Sequence, residues 1–293
     1  MLKILLGKIK KLKRFIPYLS IPLIILVAIA LISIANRPPL QITESNYGEF
    51  DLRGYDFENY VILMSGVVEY IPNQLLTPDE FEAWASENET SFGWVGRYSF
   101  STSRIRIYAE DGKWYTFSRY SVDYSHRIFV NDARLLEIGA PGETPETDIP
   151  DTGRITFTAQ GVDGAIEIVQ QSSNHVHRNG GAHLWWFAGT GTTLSDWARA
   201  EQYQTAIILG SFMILALLFL VLFFTHRRNY ANLFFAVFCF VWFMRMGVVG
   251  GRLFTVIIPW LDWVWKFRIE YIAIPLSAIL TLAIADIRCK VPD

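Results

Sequence analysis

Apolar and polar positions divide this chain into two kinds of segment. Long apolar runs cover residues 16–35, 204–224, 231–249 and 269–287, whereas residues 36–202 alternate apolar and polar side chains over short stretches. A helix needs about 20 apolar residues to cross a hydrocarbon core, and each run approaches that length. The first two runs carry no charge; the third holds Arg245, and the fourth has Glu270 and Asp286 at its ends. The pattern predicts one membrane helix before a polar domain and three after it.

Inside residues 36–202 the period is two. Arg104-Ile105-Arg106-Ile107-Tyr108 and Arg154-Ile155-Thr156-Phe157-Thr158 alternate cleanly, and further strand patterns fall near 60–71, 113–120, 125–130 and 164–170. Such strands bury one face each, which predicts a mainly β outer domain, a sandwich or jelly roll, joined to α-helical membrane segments. Asp111-Gly112 and Val162-Asp163-Gly164 supply hairpin turns. A short helix is expected at 78–86, where Thr77 can cap, Pro78 takes the first position and Glu80 completes a capping box. Residues 139–153, rich in Gly, Pro and acids, read as a long exposed loop. Gly189-Thr190-Gly191-Thr192-Thr193 reads as a connector, and Leu194 to Gln202 as a helical lead-in to the second span.

Charge orients these segments. Lys3, Lys8, Lys10, Lys11, Lys13 and Arg14 precede the first span; His226-Arg227-Arg228 follow the second, and Arg288 and Lys290 follow the fourth. Basic residues gather on the cytoplasmic side, so the expected order is a cytoplasmic tail at 1–15, extracytoplasmic residues 36–202 and a cytoplasmic tail at 288–293. The length of the first run favours an uncleaved anchor over a cleaved signal peptide. The overall formal charge of -2 hides a strongly acidic outer domain, with 24 Asp and Glu against 12 Lys and Arg in residues 36–202. That balance argues against a nucleic-acid partner and suits neutral sugars, cations or cationic peptides. Cys239 and Cys289 both lie in the membrane part, so no disulfide staples the outer domain.

Candidate chemistry concentrates in Ser173-Asn174-His175-Val176-His177-Arg178-Asn179-Gly180-Gly181-Ala182-His183. His175 and His177 would share a face of a strand, and His183 could return after the glycines, so a zinc-like site is one reading and a polar hydrogen-bonded loop the other. Trp84, Trp94, Trp114, Tyr115, Tyr120 and Tyr124 are core or stacking candidates; adjacent Trp114 and Tyr115 must face opposite ways on a strand. Trp185, Trp186 and Trp197 are assigned to the membrane headgroup region. Arg245 either snorkels outward or pairs with Glu270. No phosphate-binding loop, nucleophile elbow or helical His-Glu motif is present, so no enzyme activity and no cofactor are expected.

Two stretches resemble the bacterial 7TMR-DISM family, seven-transmembrane receptors with diverse intracellular signalling modules. Ile128-Phe129-Val130-Asn131-Asp132 through Gly139 is similar to the "VNG…G" segment of its outer domain, with Asp132 where a glycine is usual. Ser173 to Gly181 is similar to its "SN…HR.GG" signature; Arg227-Arg228-Asn229-Tyr230, Phe234-Phe235 and Arg268-Ile269-Glu270-Tyr271 fit its membrane part. The resemblance implies a jelly-roll, galactose-binding-like sensor domain that passes a signal to a cytoplasmic effector. Three spans after the outer domain supply three of the family's seven helices, so a fragment or a short form is expected. Expected partners are a small-molecule or carbohydrate ligand, the lipid bilayer, and an effector or a second copy. Asn174, His175, His177 and Arg178 are the ligand candidates, with Trp114 and Tyr120 as stacking residues; His175, His177 and His183 form the less favoured metal set. The alternatives are a non-signalling envelope scaffold that binds glycan, and a metal-dependent membrane enzyme or transporter.

Overall fold

The computed structural model describes residues 37–93, 98–176, 185–225, 229–249 and 251–289, together with Ile25, Ala28, Ile29 and Ile32. The basic tail and most of the first span lie outside the described residues; the four described positions in that span are helical. The chain divides into two compact units, Pro38–Trp197 and a second made of Ala198–Asp293 with Met1–Arg37.

The first unit is a β-sandwich of the jelly-roll class. One sheet orders its strands β1 (Leu40–Glu44), β3 (Val61–Ser65), β12 (Trp185–Gly189), β7 (Trp114–Val122) and β10 (Gly153–Gln160). The other runs β5 (Ser91–Gly93), β4 (Val68–Pro72), β6 (Phe100–Tyr108), β11 (Ala165–Ser173), β8 (Ser125–Val130) and β9 (Ala133–Ile138), with β2 (Glu49–Asp51) also on β6. Ile62, Met64, Phe117, Ile155 and Trp186 of the first sheet meet Ile105, Ile107, Ile128, Ile166 and Ile168 of the second in one buried core. Period-two alternation puts them there. Ile105 and Ile107 point in while Arg104 and Arg106 point out, and Tyr115 is buried while Trp114 is 64% exposed.

The hairpins follow their turn residues. Asp163 and Gly164 both adopt positive φ (52° and 76°), as a primed two-residue turn requires. Asp132 takes φ 65° beside Asn131 at 45°, so that turn closes without glycine; the Asn131 side chain supports it by accepting the Glu167 amide at 3.0 Å. Helix α1 (Pro78–Glu87) has the Thr77–Glu80 capping box and buries Phe81 completely.

The 139–153 segment is the expected loop, exposed over Glu143–Thr147, but it is pinned where Ala140 and Ile149 bridge and where Asp148 is 7% exposed. Two expectations need correction. Trp186, expected among headgroups, sits in the core at 2% exposure, because Trp185–Gly189 is a central strand. Trp197 is 6% exposed and packs with Val61, Phe187 and Leu194 on the outer face of the first sheet.

Helix α2 (Gly191–Thr225) begins inside this unit. Thr190 caps it: its hydroxyl accepts the Thr193 amide at 3.1 Å, and the Thr193 hydroxyl accepts the Thr190 amide at 3.0 Å. At about 1.5 Å per residue, a helix of 35 residues exceeds what a hydrocarbon core of about 30 Å needs. In the second unit, α2, α3 (Tyr230–Val249) and α5 (Trp263–Cys289) are each long and apolar enough to cross a membrane, with the short α4 (Leu253–Ile257) between α3 and α5. Leu209, Val248 and Phe254 form their shared cluster, and Thr205 Oγ1 accepts the Gly251 amide at 2.9 Å. Arg245 lies over the Trp242 ring at 5.4 Å; no Arg245–Glu270 ion pair occurs among the described residues. Pro275 stands inside α5.

Candidate functional site

A cavity of about 360 Å³ opens on the outer face of the second sheet, within the size range of small-molecule sites. It arises from a break in strand pairing. The same edge of β6 pairs with β4 over Ser101–Arg104 and with β2 over Arg106–Tyr108. The change of partner leaves a notch lined by Asn46, Tyr47, Gly48, Glu49, Glu69, Phe92, Arg104 and Arg106.

The turn between β1 and β2 forms one wall. Asn46 and Glu49 bridge, so Tyr47 and Gly48 are its two central residues, at φ 51° and 85°. Positive φ is unusual for a bulky residue, and it places the Tyr47 ring at the turn tip. A Cβ on Gly48 would come within 3.0 Å of the Glu69 backbone nitrogen, so glycine permits the close approach to β4. Tyr47 and Phe92 meet edge to face at 5.6 Å and remain 70% and 46% exposed.

The floor is charged. Arg104 Nε donates to Glu69 at 2.7 Å, Arg104 also pairs with Glu82, and its guanidinium lies 4.7 Å from the Phe81 ring of α1. Burial works against the Arg104 charge, yet the hydrogen bond and charge of Glu69 hold its pKa above the usual value. Arg106 reaches Glu167 at 3.3 Å. The Tyr108 hydroxyl donates to Glu49 at 3.0 Å, and that carboxylate raises the phenol pKa above its ordinary value.

The sequence-derived candidates lie elsewhere. Asn174 and His175 follow β11, at the end of the sandwich where Ser173 pairs with Phe100. There the Asn174 amide donates to Ser99 at 2.6 Å. His175 Nε2 is 3.0 Å from the Gly142 carbonyl, and its backbone amide donates to Asp148 at 3.4 Å. Ser173 Oγ donates to Asp148 at 2.8 Å and accepts the Gly142 amide at 2.9 Å, while Ser125 also donates to Asp148. This part of the motif therefore fastens the 139–153 segment to the sheet. His177, Arg178 and His183 lie outside the described residues, as do Trp94 and the Arg227-Arg228 pair. Trp114 stands at the opposite end of the strands, beside Gln160, and Tyr120 belongs to β7 further along. Among the described residues no group of three or more His, Cys, Asp and Glu side chains could hold a metal ion.

Sequence reasoning missed a polar layer inside the same end of the sandwich. Arg119 is 2% exposed; its Nη1 donates to Gln170 Oε1 at 2.8 Å, its Nη2 donates to Tyr124 Oη at 2.9 Å, and its guanidinium lies 5.6 Å from the Trp186 ring centre. His126 is fully buried beside them, and burial followed by the charge of Arg119 lowers its pKa to about 3. Its Nε2 and Gln170 Nε2 have no hydrogen-bond partner among the described residues. The notch was missed because its lining comes from four strands and a turn that are distant in sequence.

Comparison with known proteins separates the two units. Residues 201–284 match the family model described as 7TM diverse intracellular signalling. No curated protein matches the chain. Among solved structures, a β-glucosidase from Kluyveromyces marxianus in complex with glucose is similar at 15% identity, covering 57% of this chain and 21% of that one, with a TM-score of 0.26. A family 35 carbohydrate binding module from Clostridium thermocellum is similar at 10% identity, covering 46% of this chain and 93% of that one, with a TM-score of 0.20. An α-xylosidase from Xanthomonas citri matches at 9% identity over 53% of this chain and 19% of its own, with a TM-score of 0.20. The chain thus spans about a fifth of the two enzymes. At these scores the outer fold rests on its own two sheets, whereas the helices rest on the family match. Residues 201–284 of this chain are thus similar to the family described as 7TM diverse intracellular signalling.

Proposed function

We propose that this protein is a multi-pass membrane sensor whose extracytoplasmic sandwich, residues 36–202, binds a small ligand and passes the event through its helices to a cytoplasmic effector. The observation that carries this reading is the union in one chain of a notched sandwich and a helical block similar to the signalling family. Helix α2 supports the route: it starts with Thr190 and Thr193 capping each other, Leu194 and Trp197 pack on the sheet, and it continues as an apolar span.

The notch is the proposed ligand seat, with Trp114 a second exposed aromatic surface on which a sugar ring could stack. His175, with Ser173, is proposed to act at the far end by holding the 139–153 segment, and Asn174 by tying the end of β11 to Ser99. The N-terminus is proposed to be cytoplasmic, following the basic tail. No catalytic step is assigned.

A thermal-shift screen of neutral sugars, amines and organic acids on the full chain tests the reading. The expected outcome is a stabilising ligand, because a compound that binds only the folded state raises the melting temperature. A Tyr47→Ala variant should lose that shift while keeping its unliganded melting temperature. Ligands that act identically on Tyr47→Ala and the parent would remove the notch from the account.

A further inference from the structure

We propose that the notch between β2 and β4 takes a small organic ammonium ion, seated against Tyr47 and Phe92 and facing Glu49. The proposal rests on the notch being the sensor's ligand seat, and it adds the chemical class.

Charge matching comes first. The two guanidinium groups of the notch are already claimed, Arg104 by Glu69 and Glu82 and Arg106 by Glu167. Glu49 receives only the neutral Tyr108 hydroxyl and forms no ion pair among the described residues. The notch lining itself carries Glu49 and Glu69 against Arg104 and Arg106, and both guanidiniums are held by carboxylates, which leaves Glu49 as the lining charge without an ion pair among the described residues. A cation can pair with Glu49, whereas an anion would have to compete with Glu69, Glu82 and Glu167 for the arginines. The surrounding domain has the same sign, with 24 acidic residues against 12 basic ones over 36–202, and a field of that sign concentrates cations at the surface.

The aromatic pair selects an organic cation over a metal ion. Edge-to-face packing leaves ring surface of Tyr47 and Phe92 open, and the negative face of an aromatic ring attracts an ammonium group. A strongly hydrated divalent ion would instead need several oxygen ligands around one point, and no cluster of that kind exists among the described residues. A neutral sugar could use the rings but would leave Glu49 unmatched. The site is also built in advance: the Tyr47–Gly48 turn sits against β4, and the Arg104–Glu69 pair is largely buried, with both side chains 15% exposed.

Choline chloride is the test ligand, added to the full chain in phosphatidylglycerol nanodiscs, which carry no amine of their own. Glucose and sodium acetate are the neutral and anionic controls, and sodium chloride matches ionic strength. Saturation-transfer NMR should show saturable choline binding that weakens as salt rises. Tyr47→Ala and Glu49→Gln should each weaken it at least tenfold. Phe92→Leu, which keeps apolar bulk but removes the ring, should weaken it too, with melting temperatures confirming that all three variants fold. Absence of saturable choline binding overturns the proposal, as does binding that the variants leave unchanged. If glucose binds in a Tyr47-dependent manner and choline does not, the ammonium class falls while the sensor reading stands.

Discussion

Arg119 occupies an inward position that its neighbours Phe117 and Tyr115 fill with apolar rings. A buried guanidinium is expensive unless its donors are met. Here Gln170, Tyr124 and the Trp186 ring meet it, and no carboxylate joins them among the described residues. Burial first, and that uncancelled charge second, keep His126 neutral. Its folded pKa of about 3 lies below the unfolded value near 6.5, so between those limits the unfolded chain binds a proton that the folded chain refuses. Stability contributed by His126 is therefore fully present above about pH 6.5 and declines as the pH falls towards 3, by at most about 1.4 kcal/mol per pH unit. Urea melts of the purified chain from pH 7 to pH 4 should show this decline, and His126→Phe should flatten it. An equal slope in the variant would assign the acid sensitivity to other groups. Arg119 was legible in principle, since the alternation Tyr115, Phe117, Arg119 puts it on the core face. Its charge hid the signal, because period-two patterns are read from apolar residues.

Among the elements, β6, β7 and β10 followed their alternation and their Asp-Gly turns, β11 alternated only over Ala165–Ile168 before being buried on both faces, and α1 followed its capping box. Strand β12 did not. Trp185-Trp186-Phe187-Ala188 is a continuous apolar run because both faces are covered, Trp186 by the core and Phe187 by Leu194 and Trp197. A strand of that kind lacks alternation, and beside a membrane span it mimics an aromatic belt. The same packing makes Trp197 the anchor of the first turns of α2. Trp197→Ala should cost about 3–5 kcal/mol of sandwich stability, measured by denaturant melts following the outer tryptophans. It should also reduce any ligand-induced change in α2. A loss below about 1 kcal/mol would show that the helix start is not held by this contact. The notch belongs to this scale as well. It exists only because β2 and β4 divide one edge of β6, and local sequence does not record that pairing.

For the whole molecule, the four apolar runs made the membrane architecture readable, and the three after the outer domain appear as helices. Orientation rests on loop charge. Cys289, exposed at the end of α5, should resist a membrane-impermeant maleimide in intact cells and react once they are permeabilised. A cysteine introduced by Asp163→Cys in the outer domain should show the opposite pattern. Reversed labelling would invert the topology. A sensor further requires that ligand bind two states of the helices unequally, since equal affinity shifts nothing. The most direct test is hydrogen exchange on the full chain in nanodiscs, with and without a saturating ligand from the thermal-shift screen. Altered protection is expected around Tyr47, Glu69 and Phe92 together with altered protection in α2 or α3. Protection changes confined to the sandwich, with α2 and α3 unaffected, would contradict it.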